Sequence, residues 1–177
     1  VDDEIITSLE EIARSLNQMQ ALLERMPERC EPFIYYHRVR PFMFGWRDNP
    51  LLPDGLIYTG VEAWEDRPVQ FRGETGAQSS IVPALDAFLG ISHEFDEMRA
   101  YLLEMRDYMP APHRQLILEL ETASTVRAYV RDSQNSSLRE AYNLAVQALG
   151  AFRRLHIEFA ARYIIGPAKG AAAGEVG

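Results

Sequence analysis

The chain has 177 residues, 47% of them hydrophobic, which suits one folded domain and argues against disorder over most of its length. Its formal net charge of -8 leaves no broad basic surface for nucleic acid or anionic lipid. Its single cysteine, Cys30, cannot form an internal disulfide, and its apolar runs are far shorter than the roughly 20 residues of a membrane-spanning helix. We therefore expect a soluble, cytoplasmic protein that binds neither nucleic acid nor membrane.

Apolar residues spaced three and four apart predict a series of amphipathic helices. The first spans residues 3–26 and ends at Pro27, because proline cannot donate the helical hydrogen bond. Further helices are predicted over residues 78–89, 94–108, 112–120 and 125–130. Ser79 or Ser80 opens the helix at 78–89, since Pro83 is tolerated only within its first turn.

The longest predicted helix begins at a capping box formed by Ser137 and Glu140. Its apolar face continues without a gap from Leu138 to Tyr163, and the Gly-Pro pair at 166–167 is expected to end it. We expect one helical domain over residues 1–167 and a flexible, small-residue tail over residues 168–177.

His156 occupies a position in that apolar face where the pattern calls for Leu or Phe, so it is expected to point into the core. A buried imidazole needs a partner, which is either a protein carbonyl or carboxylate, or a metal or haem iron. Arg153, three residues earlier, needs an anion, and both Asp86 and a haem propionate qualify and can coexist. His37, His93 and His113 lack zinc-type spacing and are assigned structural roles.

Residues 32–75 are rich in proline and aromatic residues, which is typical of irregular segments that line a site. Residues 33–44 are helical or extended, with helix favoured. In a helix Tyr36 and Arg40 share a face and would suit an aromatic amino acid, with its carboxylate on the arginine. The alternative is that Tyr35 and Tyr36 belong to the core and Arg40 forms an internal salt bridge.

A glycine-containing loop over residues 71–80 precedes a predicted helix, where backbone N–H groups can meet an anion. This loop lacks the lysine of a phosphate-binding loop, so the sequence gives little support for nucleotide binding. The loop is equally consistent with an ordinary connection.

Seven collinear motifs, spread over about residues 33–166, resemble the indoleamine 2,3-dioxygenase family. They are YHRVRP (36–41), GWRDNP (45–50), DGLIY (54–58), GAQSS (76–80), YMP followed by His113-Arg114 (108–114), LREAY (138–142) and RRLH (153–156). Several contain Trp, Pro or Gly, which makes a chance match improbable.

The resemblance implies an all-α, haem-binding helical bundle that inserts both atoms of O2 into the indole ring of L-tryptophan and yields N-formylkynurenine. The implied cofactor is haem b, with His156 as the proximal iron ligand, Arg153 near a propionate and Asp86 as its acidic partner. Arg40 matches the arginine that binds the substrate carboxylate. The remaining implied pocket positions, which line the distal pocket or approach haem and substrate, are Tyr35, Tyr36, Phe44, Thr75 and Gly76.

Two departures from the family accompany this resemblance. The resemblance implies a smaller N-terminal region before the first helix, and a mobile loop and a last helix after the part that matches residue 177, and this sequence includes neither. We therefore expect a fragment that associates with the missing half or with itself. Two alternatives remain: a haem-binding relative without dioxygenase activity, and a helical interaction module in which His156 is a satisfied core residue.

Overall fold

A computed structural model describes residues 1–172 of the chain and the side chains of residues 1–170. Helices dominate this part, which confirms the all-α fold. They are α1 (Asp2–Glu24), α2 (Pro32–Ile34), α3 (Ile81–Leu89), α4 (Glu97–Met105), α5 (Ala111–Ala123), α6 (Val126–Asp132), α7 (Ser136–Ala160) and α8 (Gly166–Ala172). Two short strands, β1 (Leu56–Ile57) and β2 (Pro68–Val69), pair in antiparallel fashion. No helix in this described range is long and apolar enough to cross a bilayer.

The chain separates into two units. The first unit comprises Val1–Arg29 and Ala77–Ala161, and the second comprises Cys30–Gly76 and the residues from Arg162 onward. The core of the first unit lies mainly between α1 and α7, where Leu9 and Leu16 face Leu138 and Leu149, each 0–1% exposed. Full burial of one such side chain stabilises the fold by about 1.5 to 3 kcal/mol.

The N-termini of α1 and α7 lie side by side, so the two helices run in parallel. Asp2, in the first turn of α1, accepts hydrogen bonds from the Tyr129 hydroxyl and, at 2.9 Å, from the side-chain amide of Asn135, the residue that caps α7. The hydrogen bond from Tyr129, followed by that from Asn135, lowers the pKa of the Asp2 carboxyl. A carboxylate at this point also offsets the partial positive charges that two adjacent helix N-termini bring together.

The C-terminal end of α3 is anchored by side chains from two other helices and the segment between α5 and α6. The carbonyl groups of Phe88, Leu89 and Gly90 accept hydrogen bonds from Ser124, Tyr142 and Arg127 at 2.6, 2.7 and 2.9 Å. Carbonyl groups at a helix end have no partner within the helix, so these bonds fix α3 against its neighbours.

The second unit contains the π-helical segment Tyr35–Val39 and all but the first residue of another, Ala161–Ile165. Each segment is followed within two residues by a proline. In the first segment the backbone N–H of Arg40 donates to the carbonyl of Tyr35, five residues earlier. Residues 33–42 are therefore helical, as favoured from the sequence. The two segments contact each other through the rings of Tyr35 and Tyr163, which meet edge to face at 5.9 Å.

Two closely apposed backbone segments organise the rest of the second unit. Gly45 has a positive φ of 73° and pairs with Arg72, and Glu74 N–H donates to the carbonyl of Met43 at 2.9 Å. A side chain at Gly73 would overlap the carbonyl oxygen of Met43, so glycine is required where the segments cross.

Three predictions about helix ends and faces were wrong. Asn135, not Ser137, caps α7, because its Oδ1 accepts from the N–H groups of Ser137 and Leu138 at 3.1 and 3.3 Å. The backbone stays helical past Pro167 to Ala172, because the wider π turn before it relieves the clash of the proline ring with a preceding carbonyl. The predicted apolar face of 94–108 is largely exposed, with Met98 at 62%.

The predicted tail overlaps this last helix. Residues 168–172 are helical, whereas residues 173–177 lie outside the described residues.

We predict that Asp2→Asn lowers the stability of the first unit at neutral pH and flattens its dependence on acidic pH. The pKa of Asp2 is lower in the folded than in the unfolded chain, so its contribution is present above the ordinary carboxyl pKa and is lost as the pH falls through the lowered value. Thermal unfolding followed by circular dichroism between about pH 2 and pH 7 measures this effect.

Asp3→Asn is the matched control, because it removes the same charge from the same helical turn without touching Tyr129 or Asn135. Equal losses in the two variants would show that only the helix dipole, and not the contact network of Asp2, is involved.

Candidate functional site

A buried ion pair joins α3 to α7 in the first unit. Asp86, 9% exposed in a helix of otherwise apolar residues, contacts the guanidinium of Arg153 through Oδ2. The Nε2 atom of His93 lies 3.0 Å from the same oxygen. The predicted Arg153–Asp86 pair is confirmed, and His93, which was assigned a structural role, belongs to the same cluster.

Both partners of this ion pair keep hydrogen-bonding groups that the pair itself does not use. Asp86 Oδ1 is buried and has no hydrogen-bond partner among the described residues. Arg153 uses Nη2 for Asp86, and no other hydrogen bond of its guanidinium is found within the described part of its unit. Buried carboxylates are normally satisfied, so this arrangement marks a polar centre and not an inert part of the core.

His156 lies one helical turn after Arg153 on α7, but its side chain is exposed. The prediction that it points into the core is therefore wrong. The packing with α1 buries the apolar face of α7 only as far as Leu149, and beyond it Phe152 is half-buried and Ile157 is 64% exposed. Within the described residues of its unit, the imidazole of His156 has no hydrogen-bond or ion-pair partner. The interpretation as a satisfied core histidine is thus not supported.

An open hollow of about 350 Å³ lies in the second unit. It combines aromatic walls with polar side chains and contains no carboxylate; its lining residues are Tyr36, His37, Arg40, Pro41, Phe44, Gly45, Trp46 and Asn49. Three of the residues predicted to bind substrate, Tyr36, Arg40 and Phe44, are brought together here.

Arg40 is the central charge of this hollow. Its guanidinium carbon lies 4.4 Å from the centroid of the Phe44 ring and 5.5 Å from that of Tyr36, so two aromatic faces hold it in place. No carboxylate lies within ion-pairing distance of it among the described residues of its unit. The alternative of an internal salt bridge is not supported, and Arg40 is available for an external anion.

The other predicted pocket residues lie elsewhere in the second unit. Tyr35 does not line the hollow and instead packs against the buried ring of Tyr163, whose pKa is raised by burial. Thr75 is half-buried and Gly76 is exposed at the start of the short 3-10 turn before α3, and neither lines the hollow.

Sequence reasoning missed five side chains of these two clusters, which are His93 beside Asp86 and, in the hollow, His37, Pro41, Trp46 and Asn49. His93 follows α3 by four residues, and its contact with Asp86 depends on the path of an irregular segment. Trp46 and Asn49 lie in the motif GWRDNP, but no periodicity places that motif beside Arg40. Two signals were available, namely the density of aromatic and polar residues in an irregular region and the motif GWRDNP that carries part of the resemblance.

We predict that Gly73→Ala destabilises the second unit by about 1 to 3 kcal/mol, because the added methyl group overlaps backbone atoms of Met43 and Phe44 that cannot move independently. Both tryptophans, Trp46 and Trp64, belong to this unit, so their fluorescence during denaturant unfolding reports the change.

Gly150→Ala in α7 is the control. A methyl group there meets only the far end of the Arg154 side chain at 3.4 Å, so we expect stabilisation of the first unit by about 0.5 to 1 kcal/mol, followed by circular dichroism, and unchanged tryptophan fluorescence transitions of the second unit. Normal stability of Gly73→Ala would disprove the close crossing of the two segments.

Comparison with known proteins identifies close relatives. The family model described as indoleamine 2,3-dioxygenase matches residues 2–176. Indoleamine 2,3-dioxygenase 1 of Rattus norvegicus is 41% identical over 160 residues, which cover 89% of this chain and 39% of the rat protein. Indoleamine 2,3-dioxygenase 2 of Mus musculus is 39% identical over 166 residues, covering 94% of this chain and 40% of the mouse protein.

A protein named myoglobin from Haliotis madaka is also similar, with 36% identity over 162 residues, 90% of this chain and 42% of that protein. The chain thus spans about two fifths of the length of these relatives. The family model covers nearly every residue of the chain, and the polar clusters around Arg153 and Arg40 contain residues of the motifs that carried the resemblance. The chain belongs to the indoleamine 2,3-dioxygenase family.

Proposed function

We propose that this chain carries the haem-binding and substrate-carboxylate residues of a haem-dependent dioxygenase that cleaves the indole ring of L-tryptophan with O2 to give N-formylkynurenine. The observation that carries the proposal is the imidazole of His156, which has no partner in its unit although it continues the apolar face of α7 one turn after Arg153. A proximal histidine is a standard attachment for haem iron.

His156 and Arg153 fit the requirements of haem b. An iron ligand must present a free imidazole nitrogen, and His156 has no competing hydrogen bond in the described part of its unit. Arg153 is held by Asp86 through one nitrogen and keeps further N–H donors for a propionate. Asp86 thus acts as a positioning residue, since it fixes the guanidinium one helical turn before the proposed iron ligand.

Arg40 supplies the proposed contact to the substrate carboxylate. A guanidinium binds a carboxylate through two parallel hydrogen bonds, and the rings of Tyr36 and Phe44 restrict its movement before substrate arrives. The same rings offer flat apolar surface to an indole. Haem, when bound, would supply the O2 chemistry, and the residues of the chain would bind and orient the substrate.

The second candidate is a haem-binding protein without dioxygenase activity. It is favoured by the similarity to the Haliotis madaka protein, whose name is myoglobin and not dioxygenase. His156, Arg153 and Asp86 are required by both functions, whereas the Arg40 hollow is required only by an enzyme that binds an amino acid.

We predict a Soret band in the purified, haem-supplied protein that shifts on addition of dithionite and CO and is lost in His156→Ala, because the variant removes the only proposed iron ligand. His113→Ala is the matched control, since this imidazole is bonded to Ser80 Oγ at 2.9 Å and should leave the band intact. A Soret band that is unchanged in His156→Ala would refute the assignment.

Turnover separates the two candidates. N-formylkynurenine formed from L-tryptophan in the presence of a reductant supports the dioxygenase, whereas tight haem binding without product supports the second candidate. Absence of haem binding would overturn both.

We predict that Arg40→Ala raises the KM for L-tryptophan about ten- to a hundredfold and leaves the haem spectrum unchanged, because it removes a charge-assisted contact to substrate alone. Arg38→Ala removes an equal charge from the π-helical segment that ends just before Arg40, but Arg38 is exposed and does not line the hollow. Steady-state kinetics of the two variants measure the difference. Equal KM values in Arg40→Ala and the unchanged protein would remove Arg40 from the substrate site.

A further inference from the structure

His37 is the second basic side chain of the Arg40 hollow. It lies three residues before Arg40 and lines the same space. Its ring packs against Phe33 at 4.5 Å and against Tyr36, edge to face, at 4.9 Å. These ring contacts do not involve hydrogen bonds to the imidazole nitrogens of His37, and no other hydrogen bond to those nitrogens is found in the described part of the unit. The imidazole is therefore fixed in orientation while its polar atoms remain available.

The side chains that line the hollow include basic groups and no carboxylate, which favours binding of an anion. Of the side chains that line it, Tyr36, His37 and Arg40 are titratable or charged. The charged residues Arg47 and Asp48 of the next segment do not line it, and Asp48 pairs with Arg72 at 3.3 Å. Asn49 uses its Oδ1 to accept the N–H of Leu51 at 3.0 Å, so its amide oxygen is already engaged. A protonated imidazole beside a guanidinium is repelled by it, and an anion bound between the two offsets that repulsion.

The geometry points to His37 as a second ligand of the substrate carboxylate, which binds in its protonated form beside Arg40. This inference rests on the proposed function for the identity of the substrate, and it adds a residue and a pH dependence to that site. Because the bound carboxylate favours the charged imidazole, binding takes up a proton, and affinity falls as the pH rises through the range in which histidine loses its charge.

The test is calorimetric titration of the purified protein with L-tryptophan, and with tryptamine as the probe that lacks a carboxylate. Titrations at about pH 6 and pH 8, in buffers of different ionisation enthalpy, give affinity and proton uptake together. We expect L-tryptophan to bind about tenfold more weakly at the higher pH and to take up protons at the lower one. Tryptamine should show neither effect.

His37→Gln keeps a hydrogen-bond donor of similar size but cannot become charged, so its L-tryptophan affinity should be nearly independent of pH. His113→Gln is the matched control and should retain the behaviour of the unchanged protein, because His113 lies outside the hollow. If His37→Gln does not fold, proton uptake by the unchanged protein and by His113→Gln still decides the question.

Binding of L-tryptophan that depends on Arg40 but takes up no proton would overturn the role of His37 and leave the proposed function standing. The same holds if His37→Gln keeps the full pH dependence. Binding that is indifferent to Arg40→Ala would instead count against the substrate site itself.

Discussion

The buried contact between Asp86 and Arg153 is the constraint on which the proposed haem-binding part depends. A carboxylate in an apolar helix must be paired, and removal of one partner from such a pair costs about 3 to 5 kcal/mol. Here the partner comes from α7, so α3 and α7 are held together beside the segment that carries His156. The hydrogen bonds of Ser124, Tyr142 and Arg127 at the end of α3 reinforce this arrangement. The need to pair Asp86 therefore fixes the guanidinium of Arg153 one helical turn before the imidazole of His156.

In the second unit, irregular backbone segments position the side chains of the Arg40 hollow. A π-helical segment, a sharp crossing of two backbones and short strands place one guanidinium between two rings. Irregular segments usually expose polar backbone to water, so their hydrogen bonds must be satisfied locally, as those between residues 43–47 and 71–74 are. The hollow that results is aromatic in its walls and basic in charge, which are the two properties that recognition of an aromatic amino acid requires.

Periodicity predicted the helices well because an apolar stripe usually packs against a neighbouring element, although the stripe of residues 94–108 is largely exposed. The apolar surroundings of both charges made Asp86 one of two candidate partners for Arg153, beside a haem propionate, and the structure shows the contact with Asp86. Periodicity could not predict that His156 is exposed, because the apolar face of α7 does not show how far along it α1 packs. The continuation of the helix past Pro167 and the cap at Asn135 depend on which backbone groups form hydrogen bonds, and the spacing of apolar side chains does not predict this. The Arg40 hollow depends on a contact between Gly45 and Gly73, which are far apart in sequence.

The central claim is that the imidazole of His156 binds haem iron. A crystal structure of the protein with haem tests it most directly. The account predicts a bond between an imidazole nitrogen of His156 and the iron, with Arg153 contacting a propionate while Asp86 still holds it. Iron bound by a different side chain, with the nitrogens of His156 hydrogen-bonded to protein groups, would contradict the account.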